Sequence, residues 1–455
     1  MSLDMIMRAT GAELLHGDAG VPVSRIFTDS RQDCGGAFFV PLRGERFDGH
    51  DYIKEIADRG AIGSFTDRLI GIDVPKEFVL LKVDDTLRAY QSTASAHRDR
   101  YSVPVIAITG SCGKTSTRNL LSNVMSRMRI VRTERNENNE IGVPLTLLRM
   151  DGSTEAVVLE FGMRGPGEIK ELAGIACPTH GVITNIEPTH IGRLGSLEAI
   201  ADAKGELLEN MPGDGTVFLN ADNAWTEHLK KKTTNRVIEF GINAGDVRAT
   251  GIRQTLDGVE FELVSEFGGT EVYVPLPGKG TVYNALAAAA VGLSLGISMD
   301  DIREGLGLPV DESGRMTRKK GRDGILIIDD TYNSSPASLR LALELLGSIE
   351  REGRRVAVLG DMLELGEFSE PEHGACGATA AGNAALLVTL GSDSEWIAKG
   401  AVGAGMPESS VKVYKEYDEL AKDADDLFEP GDLVLVKGSR GMKMERVVDL
   451  LREKK

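Results

Sequence analysis

The chain has 455 residues, 41% of them apolar and 27% charged, with 52 basic against 69 acidic side chains and a net charge of −17. That length allows about three domains, because single cores stop growing near roughly 250 to 300 residues. The negative field disfavours nucleic acid and anionic membrane as main partners, so any phosphate-bearing ligand has to be met locally.

The opening MSLDMIMRATGAELLHGD carries Asp4 and Glu13 and lacks a basic run feeding an apolar one, so no secretory leader is read and a cytoplasmic protein is expected. Residues 1–102 mix short strands, Ala37 to Pro41 and Val79 to Val83, with short helices, and end in a polar helix from Thr86 to Arg100. A second domain, 103–310, starts at VPVIAITG, a β-branched run closed by Gly110, as a buried parallel strand is. It continues through strands Ala156 to Glu160, Gly181 to Asn185 and Thr216 to Asn220, helix Ser196 to Met211, and a strand-rich stretch from Val237 to Pro275. The longest apolar stretch, Tyr283 to Ile297, is Ala-rich and interrupted by Asn284 and Ser294, too short for a membrane span. After a loop-like stretch from Leu308 to Gly314, residues 311–455 alternate strands GILIID, RVAVLG, ALLVTLG, VKVY and DLVLVKG with helices from Pro336, Pro371, Ser394, Glu416 and Met442. That alternation indicates a doubly wound sheet, where ligands sit at the carboxyl ends of the strands. Cys34, Cys112, Cys177 and Cys376 match neither a zinc spacing nor a disulfide framework and read as reduced thiols.

The strongest local signal is ITGSCGKTST: strand, Gly110, Ser111, Cys112, Gly113, Lys114, Thr115 and Ser116, then a helix with Leu120, Leu121, Val124, Met125 and Met128 at helical spacing. Glycines turn backbone N–H groups toward a phosphate, the helix N-terminus adds positive potential, Lys114 reaches terminal phosphates and Thr115 suits Mg²⁺. The usual G-x-x-x-x-G-K-[ST] pattern fails at Ile108, so this is a shortened G-x-x-G-K-T loop, with a plain strand-to-helix turn as the alternative. ATP binding follows.

Glu160 ends a strand where an acid would hold Mg²⁺, or face solvent. His190 follows another strand and is either a ligand or structural. In SLEAIADAKGELLENM, Lys204 interrupts the stripe Leu197, Ile200, Ala201, Leu207, Leu208, Met211. Its amine either snorkels to water or is desolvated, with a lowered pKa that would let it form a carbamate with CO₂.

Phosphate loop, Glu160, His190 and Lys204 occur in an order that resembles the Mur ligases, ATP-dependent amide-forming enzymes of peptidoglycan precursor synthesis. The resemblance spans nearly the whole chain, through TDSRQDCGGAFFVPLRGERFDGHDY, NENNEIGVPLTLLR, LEFGMRGPGEI, EPTHIG, AKGELLENM, LPGKGTVYNALAAAA, DDTYNSSPASL, VLGDMLELGE and VKGSRGMKME. It implies three α/β domains: an N-terminal one for the UDP-sugar, a central P-loop ATPase with a parallel sheet, and a C-terminal Rossmann-like, doubly wound one that brings the amine and closes over the nucleotide. Within the family, GERFDGHD, DDTYNSSPAS and VLGDMLELGE imply ligation of D-alanyl-D-alanine to UDP-N-acetylmuramoyl-tripeptide; a monomer is expected, although no motif decides the oligomeric state.

By the same resemblance, Ser30, Arg31, Arg46, Asp48 and His50 address the UDP-sugar, and Asn138 and Asn139 the sugar-peptide. Read from chemistry alone, the arginines could be surface ion pairs and the asparagines loop residues. Lys204 matches a carbamylated lysine that joins Glu160 and His190 on a second Mg²⁺; Arg315 matches an arginine on the ATP phosphates, Asp330 an aspartate on the ribose, and Asn284 an asparagine near adenine. Gly280-Thr281 departs from the family's His-Asn, which puts the adenine contacts in question. Tyr332, Asn333, Ser335, Asp361 and Lys437 to Arg440 stand at strand exits as substrate contacts or as caps and anchors. Another Mur-type ligase adding one amino acid, or a non-ligase ATP-binding protein, remain the competing readings.

Overall fold

The computed structural model describes residues 1–68, 73–310, 314–350 and 352–452. Positions 311–313, at the expected boundary between the second and third domains, lie outside the described residues.

Strand pairing falls into three separate sheets. The first runs Glu13–His16, Val79–Lys82, Gly63–Thr66, Phe38–Phe39, Ile26–Phe27, antiparallel in its first pair and parallel beyond. The strand expected from Ala37 to Pro41 shrinks to Phe38–Phe39, because its parallel neighbours pair with it only there. Phe38 and Phe65 meet edge-on at 4.9 Å in the core of this sheet. Helix Thr86–Arg98, capped by Asp85, ties the first sheet to the second: Tyr90 and Gln91 donate to the carbonyls of Ile141 and Glu140, and His97 meets that of Met150.

The second sheet has nine strands, ordered Gly268–Val274, Val259–Ser265, Val247–Gln254, Arg236–Gly241, Thr216–Asn220, His180–Ile183, Val105–Thr109, Ala156–Glu160, Ile130–Arg132. From Val247–Gln254 to Ile130–Arg132 all pairs are parallel; the strand-rich stretch adds an antiparallel extension at the other edge. Both faces are covered, as a parallel sheet requires. Helices Lys114–Val124 and Lys279–Ser294 pack on one, and Glu168–Ala176 and Leu197–Glu209 on the other. The VIAIT strand is therefore buried throughout and delivers Gly110 to the edge between its two neighbours.

The third sheet is ordered Thr317–Lys320, Leu326–Asp330, Leu433–Lys437, Arg355–Gly360, Leu386–Leu390, Val411–Tyr414, parallel except for its first strand. That antiparallel edge strand, TRKK, has no apolar run to reveal it; it is polar because one side faces water, as edge strands commonly do. The last strand of the chain enters between Leu326–Asp330 and Arg355–Gly360, which gathers Asp330, Lys437 and Gly360 at one carboxyl edge. Among the described residues no helix is long and apolar enough to cross a membrane.

Candidate active site

From the end of Val105–Thr109 the chain turns through Ser111 and Cys112 into helix Lys114–Val124. Gly110 has φ +146 and Gly113 φ +82. A Cβ would stand 1.9 Å from Thr184 Oγ1 at the first and 2.3 Å from Asn284 Oδ1 at the second, so both turns require glycine. The loop is pinned to the neighbouring strand exit, with the Cys112 N–H donating to Asn185 Oδ1 at 2.9 Å and Thr184 Oγ1 to the Cys112 carbonyl at 2.6 Å. The first N–H groups of the helix point at the space in front of it with no carbonyl one turn back. Lys114 Nζ folds over the loop and donates to the Gly110 carbonyl at 2.7 Å. Burial lowers its pKa, with Glu160 opposing.

Glu160 is the hub of the wall facing the loop. At 3% exposure it accepts from Thr115 Oγ1 at 2.9 Å and Asn138 Nδ2 at 2.9 Å, and pairs with Arg118 at 3.5 Å. Arg118 is a residue that sequence reasoning missed, although its position three residues before Leu121 on a buried helix face is the same signal that singled out Lys204. Asn139 accepts from the N–H groups of Ile141 and Gly142, anchoring the following helix.

The C-terminal domain closes against this wall. Arg315 donates to Thr115 Oγ1 at 3.0 Å, and its guanidinium lies 4.0 Å from the centre of the Tyr332 ring, whose hydroxyl donates to Asn136 of the central domain. Asp330 accepts from the Met316 N–H and from buried Lys437, which also donates to the Asn333 carbonyl at 2.9 Å. Ser335 caps helix Pro336–Ser348 in a capping box with Ser338, and its Oγ lies 3.1 Å from Cys112 Sγ. Asn284 packs against Gly113 and accepts from Thr117 Oγ1 at 3.3 Å; Thr281 donates to the Pro277 carbonyl. Nearby, Asp222 accepts from three backbone N–H groups, 242 to 244, and from the Tyr283 hydroxyl, which burial and this carboxylate push above its ordinary pKa.

Lys204 is 2% exposed and its pKa is well below the usual amine value, first because of burial and then because of Lys114. Among the described residues no carboxylate forms an ion pair with it. His190 holds left-handed backbone, φ +57, and its Nδ1 meets Glu364 of the C-terminal domain; burial lowers the imidazole's pKa and Glu364 opposes. Among the described residues no three His, Cys, Asp or Glu side chains gather as a metal site. Thr115 and Glu160 do present a hydroxyl and a carboxylate side by side, the oxygen donors Mg²⁺ takes.

Lys114, Thr115, Asn138, Asn139, Glu160, His190, Lys204, Asn284, Arg315, Asp330, Tyr332, Asn333 and Ser335 all line one cavity of about 1030 Å³. Ser111, Cys112, Gly113 and Ser116 line it too, with Asp222, Tyr283, Lys279, Arg340 and Glu187, which sequence reasoning did not single out. Residues Ser30, Arg31, Arg46, Asp48 and His50 lie outside it. Arg31 is paired with Asp29 at 2.7 Å on the surface, its side chain 88% exposed, and Arg46 is exposed. The His50 side chain is fully buried, with Nδ1 2.6 Å from Asp48 and Nε2 3.2 Å from Asp67, so both ring nitrogens help to hold the loop.

Residues 108–292 match the Mur ligase middle domain and 314–440 the Mur ligase glutamate ligase domain. The chain is 36% identical to the UDP-N-acetylmuramoyl-tripeptide–D-alanyl-D-alanine ligase of Bacillus subtilis, across 96% of each chain, and 34% identical to that of Escherichia coli K12, across 97% of each. A crystal structure of MurF from Acinetobacter baumannii superposes with a TM-score of 0.92 at 30% identity, covering 99% of this chain and 98% of that one. MurF from Thermotoga maritima, solved with ADP, gives 0.83 at 27% identity over 94% and 96%. With relatives matched from end to end and three sheets arranged as in theirs, this chain belongs to the Mur ligase family.

Proposed function

We infer that the chain is an ATP-dependent ligase that joins D-alanyl-D-alanine to UDP-N-acetylmuramoyl-tripeptide in peptidoglycan precursor synthesis, releasing ADP and phosphate. The observation that carries this reading is a single cavity where the phosphate loop, Glu160 and the buried Lys204 of the central domain meet Arg315 of the C-terminal one. The relatives' names give the substrates.

In the first step a carboxylate oxygen of the tripeptide attacks the γ-phosphorus of ATP, and the bond to the β-phosphate oxygen breaks, giving an acyl phosphate and ADP. Two anions must approach, so the barrier is electrostatic. Lys114 and Arg315 supply cations at the loop, and the N–H groups at the start of helix Lys114–Val124 supply fixed dipoles. Thr115 and Glu160 would hold Mg²⁺ on the phosphates. In the second step the dipeptide's amine attacks the acyl carbon and the carbon–oxygen bond to phosphate breaks.

Glu160 and His190 are only two ligands for a second Mg²⁺, and a cationic Lys204 cannot be the third. Burial that favours the neutral amine also favours its reaction with CO₂, and the resulting carbamate has the oxygen donors Mg²⁺ takes. Mg²⁺ at these positions supplies charge neutralisation for the reacting oxygens. The N-terminal domain, residues 1–102, takes the UDP end through Arg31, Arg46 and Asp48; residues 103–310 take ATP, and 311–455 the dipeptide. The enzyme acts as a cytoplasmic monomer. Closure by the third domain keeps water from the acyl phosphate.

The test is to mix enzyme, ATP, UDP-N-acetylmuramoyl-tripeptide and D-alanyl-D-alanine and follow phosphate and the pentapeptide product. Phosphate release is expected to need the dipeptide and not to be supported by single amino acids. Release that ignores the dipeptide overturns the assignment.

A further inference from the structure

The loop after strand Arg355–Gly360 carries Glu364 across the cleft, where its Oε2 meets His190 Nδ1. The backbone is shaped to make this contact. The Gly192 N–H donates to the Glu364 carbonyl at 3.2 Å, and a Cβ on Gly192 would stand 2.7 Å from the Gly366 nitrogen. His190 and Glu364 both hold left-handed backbone, φ +57 and +66, which non-glycine residues keep only where their surroundings impose it. The two side chains are 32% and 45% exposed, so the pair adds little to stability and its value is geometric.

A carboxylate only accepts, so Nδ1 carries the proton and Nε2 is the nitrogen left with a lone pair. His190 lines the same cavity as Glu160 and Lys204. Metal-binding histidines commonly give their other N–H to a carboxylate, which fixes the ring. We propose that Glu364 is a positioning residue: the C-terminal domain uses it to fix which nitrogen of His190 is offered to Mg²⁺, so the second metal site is complete only when that domain is docked. The proposal rests on the two-metal ligase reading above. It links the acceptor-bearing domain's arrival to the site that would hold the acyl phosphate, so that an undocked enzyme does not activate the tripeptide for hydrolysis.

The experiment titrates Mn²⁺, read by electron paramagnetic resonance, into the full-length protein saturated with a non-hydrolysable ATP analogue. The parent is expected to bind two ions. Glu364→Ala should keep the nucleotide-linked ion and bind the other about 10- to 100-fold more weakly. Glu364→Gln, which retains an acceptor, should recover to within about threefold of the parent. Gly192→Ala, which forces the two backbones apart without touching a ligand, should reproduce the Glu364→Ala pattern, and the double variant should add nothing. In turnover assays the Mg²⁺ requirement rises while the KM for ATP stays put. If Glu364→Ala binds both ions as the parent does, or loses both equally, the proposal falls; if the parent binds only one ion, the two-metal reading falls with it.

Discussion

The cavity wall and the first-domain loop at residues 43–50 both carry charged side chains, but they hold them differently. In the cavity the functional groups are buried or half-buried and are gripped by elements far apart in sequence: Thr115 by Glu160 and Arg315, Tyr332 by Asn136, His190 by Glu364. In the first domain the arginines sit in exposed or half-exposed ion pairs, Arg31 with Asp29, and Arg43 and Arg68 with Asp48. A buried group held from several sides is preorganised, and preorganisation is what stabilises developing charge. An exposed cation near the substrate contributes binding, and salt screens it. Substitutions in the two regions should therefore differ in kind, kcat in the first and KM in the second.

Lys204 should show the largest effect. On the carbamate reading, Lys204→Ala removes the third ligand of the second Mg²⁺, and kcat is expected to fall on the order of 1,000-fold, since a bound metal supplies several kcal/mol of transition-state stabilisation. A small carboxylate such as formate should enter the space and restore part of the rate. Full activity without added carboxylate would remove the carbamate from the mechanism.

Tyr332 comes next. Its ring supports the Arg315 guanidinium and its hydroxyl crosses to Asn136, so Tyr332→Leu loosens the arginine without removing it. A stacking contact of about 1 to 2 kcal/mol predicts a 5- to 30-fold fall in kcat. Tyr332→Phe, which keeps the ring, should lose less, and equal losses in both would place the effect in the hydroxyl contact instead.

The same contrast explains what was legible in the sequence. The phosphate loop could be read because Gly110 and Gly113 answer to local backbone geometry, and Lys204 because a cation on a buried stripe breaks a period. Most parallel strands could be read from apolar runs. Contacts made only when domains meet left no trace: Glu364 reads as a loop acid, and Tyr332 as a candidate substrate contact, until Arg315 is folded against it. The hairpin strand Thr317–Lys320 was invisible for want of apolar residues. The enclosure of His50 was equally unreadable, because the two aspartates around it come from separate segments.

The smallest effect should come from that enclosure and should be a matter of loop stability. Asp48 feels a desolvation penalty that would raise its pKa, but the His50 N–H groups and Arg43 outweigh it and hold the carboxyl down to about 2 from 3.8. A folded-state pKa below the unfolded one stabilises the fold above the unfolded value and ceases to do so as pH falls through the folded one. The contribution is thus complete above about pH 5, falls away between about pH 4 and pH 2, and is at most about 2 kcal/mol for a side chain 27% exposed. Hydrogen exchange at the His50 and Asp67 amides should show Asp48→Asn opening more readily than the parent near neutral pH, with the two converging as pH approaches 2. The KM for the UDP-sugar should rise with the local opening while kcat stays put. A fall in kcat instead would mean that this loop, like the cavity wall, positions reacting groups, and the division between the two regions would have to be given up.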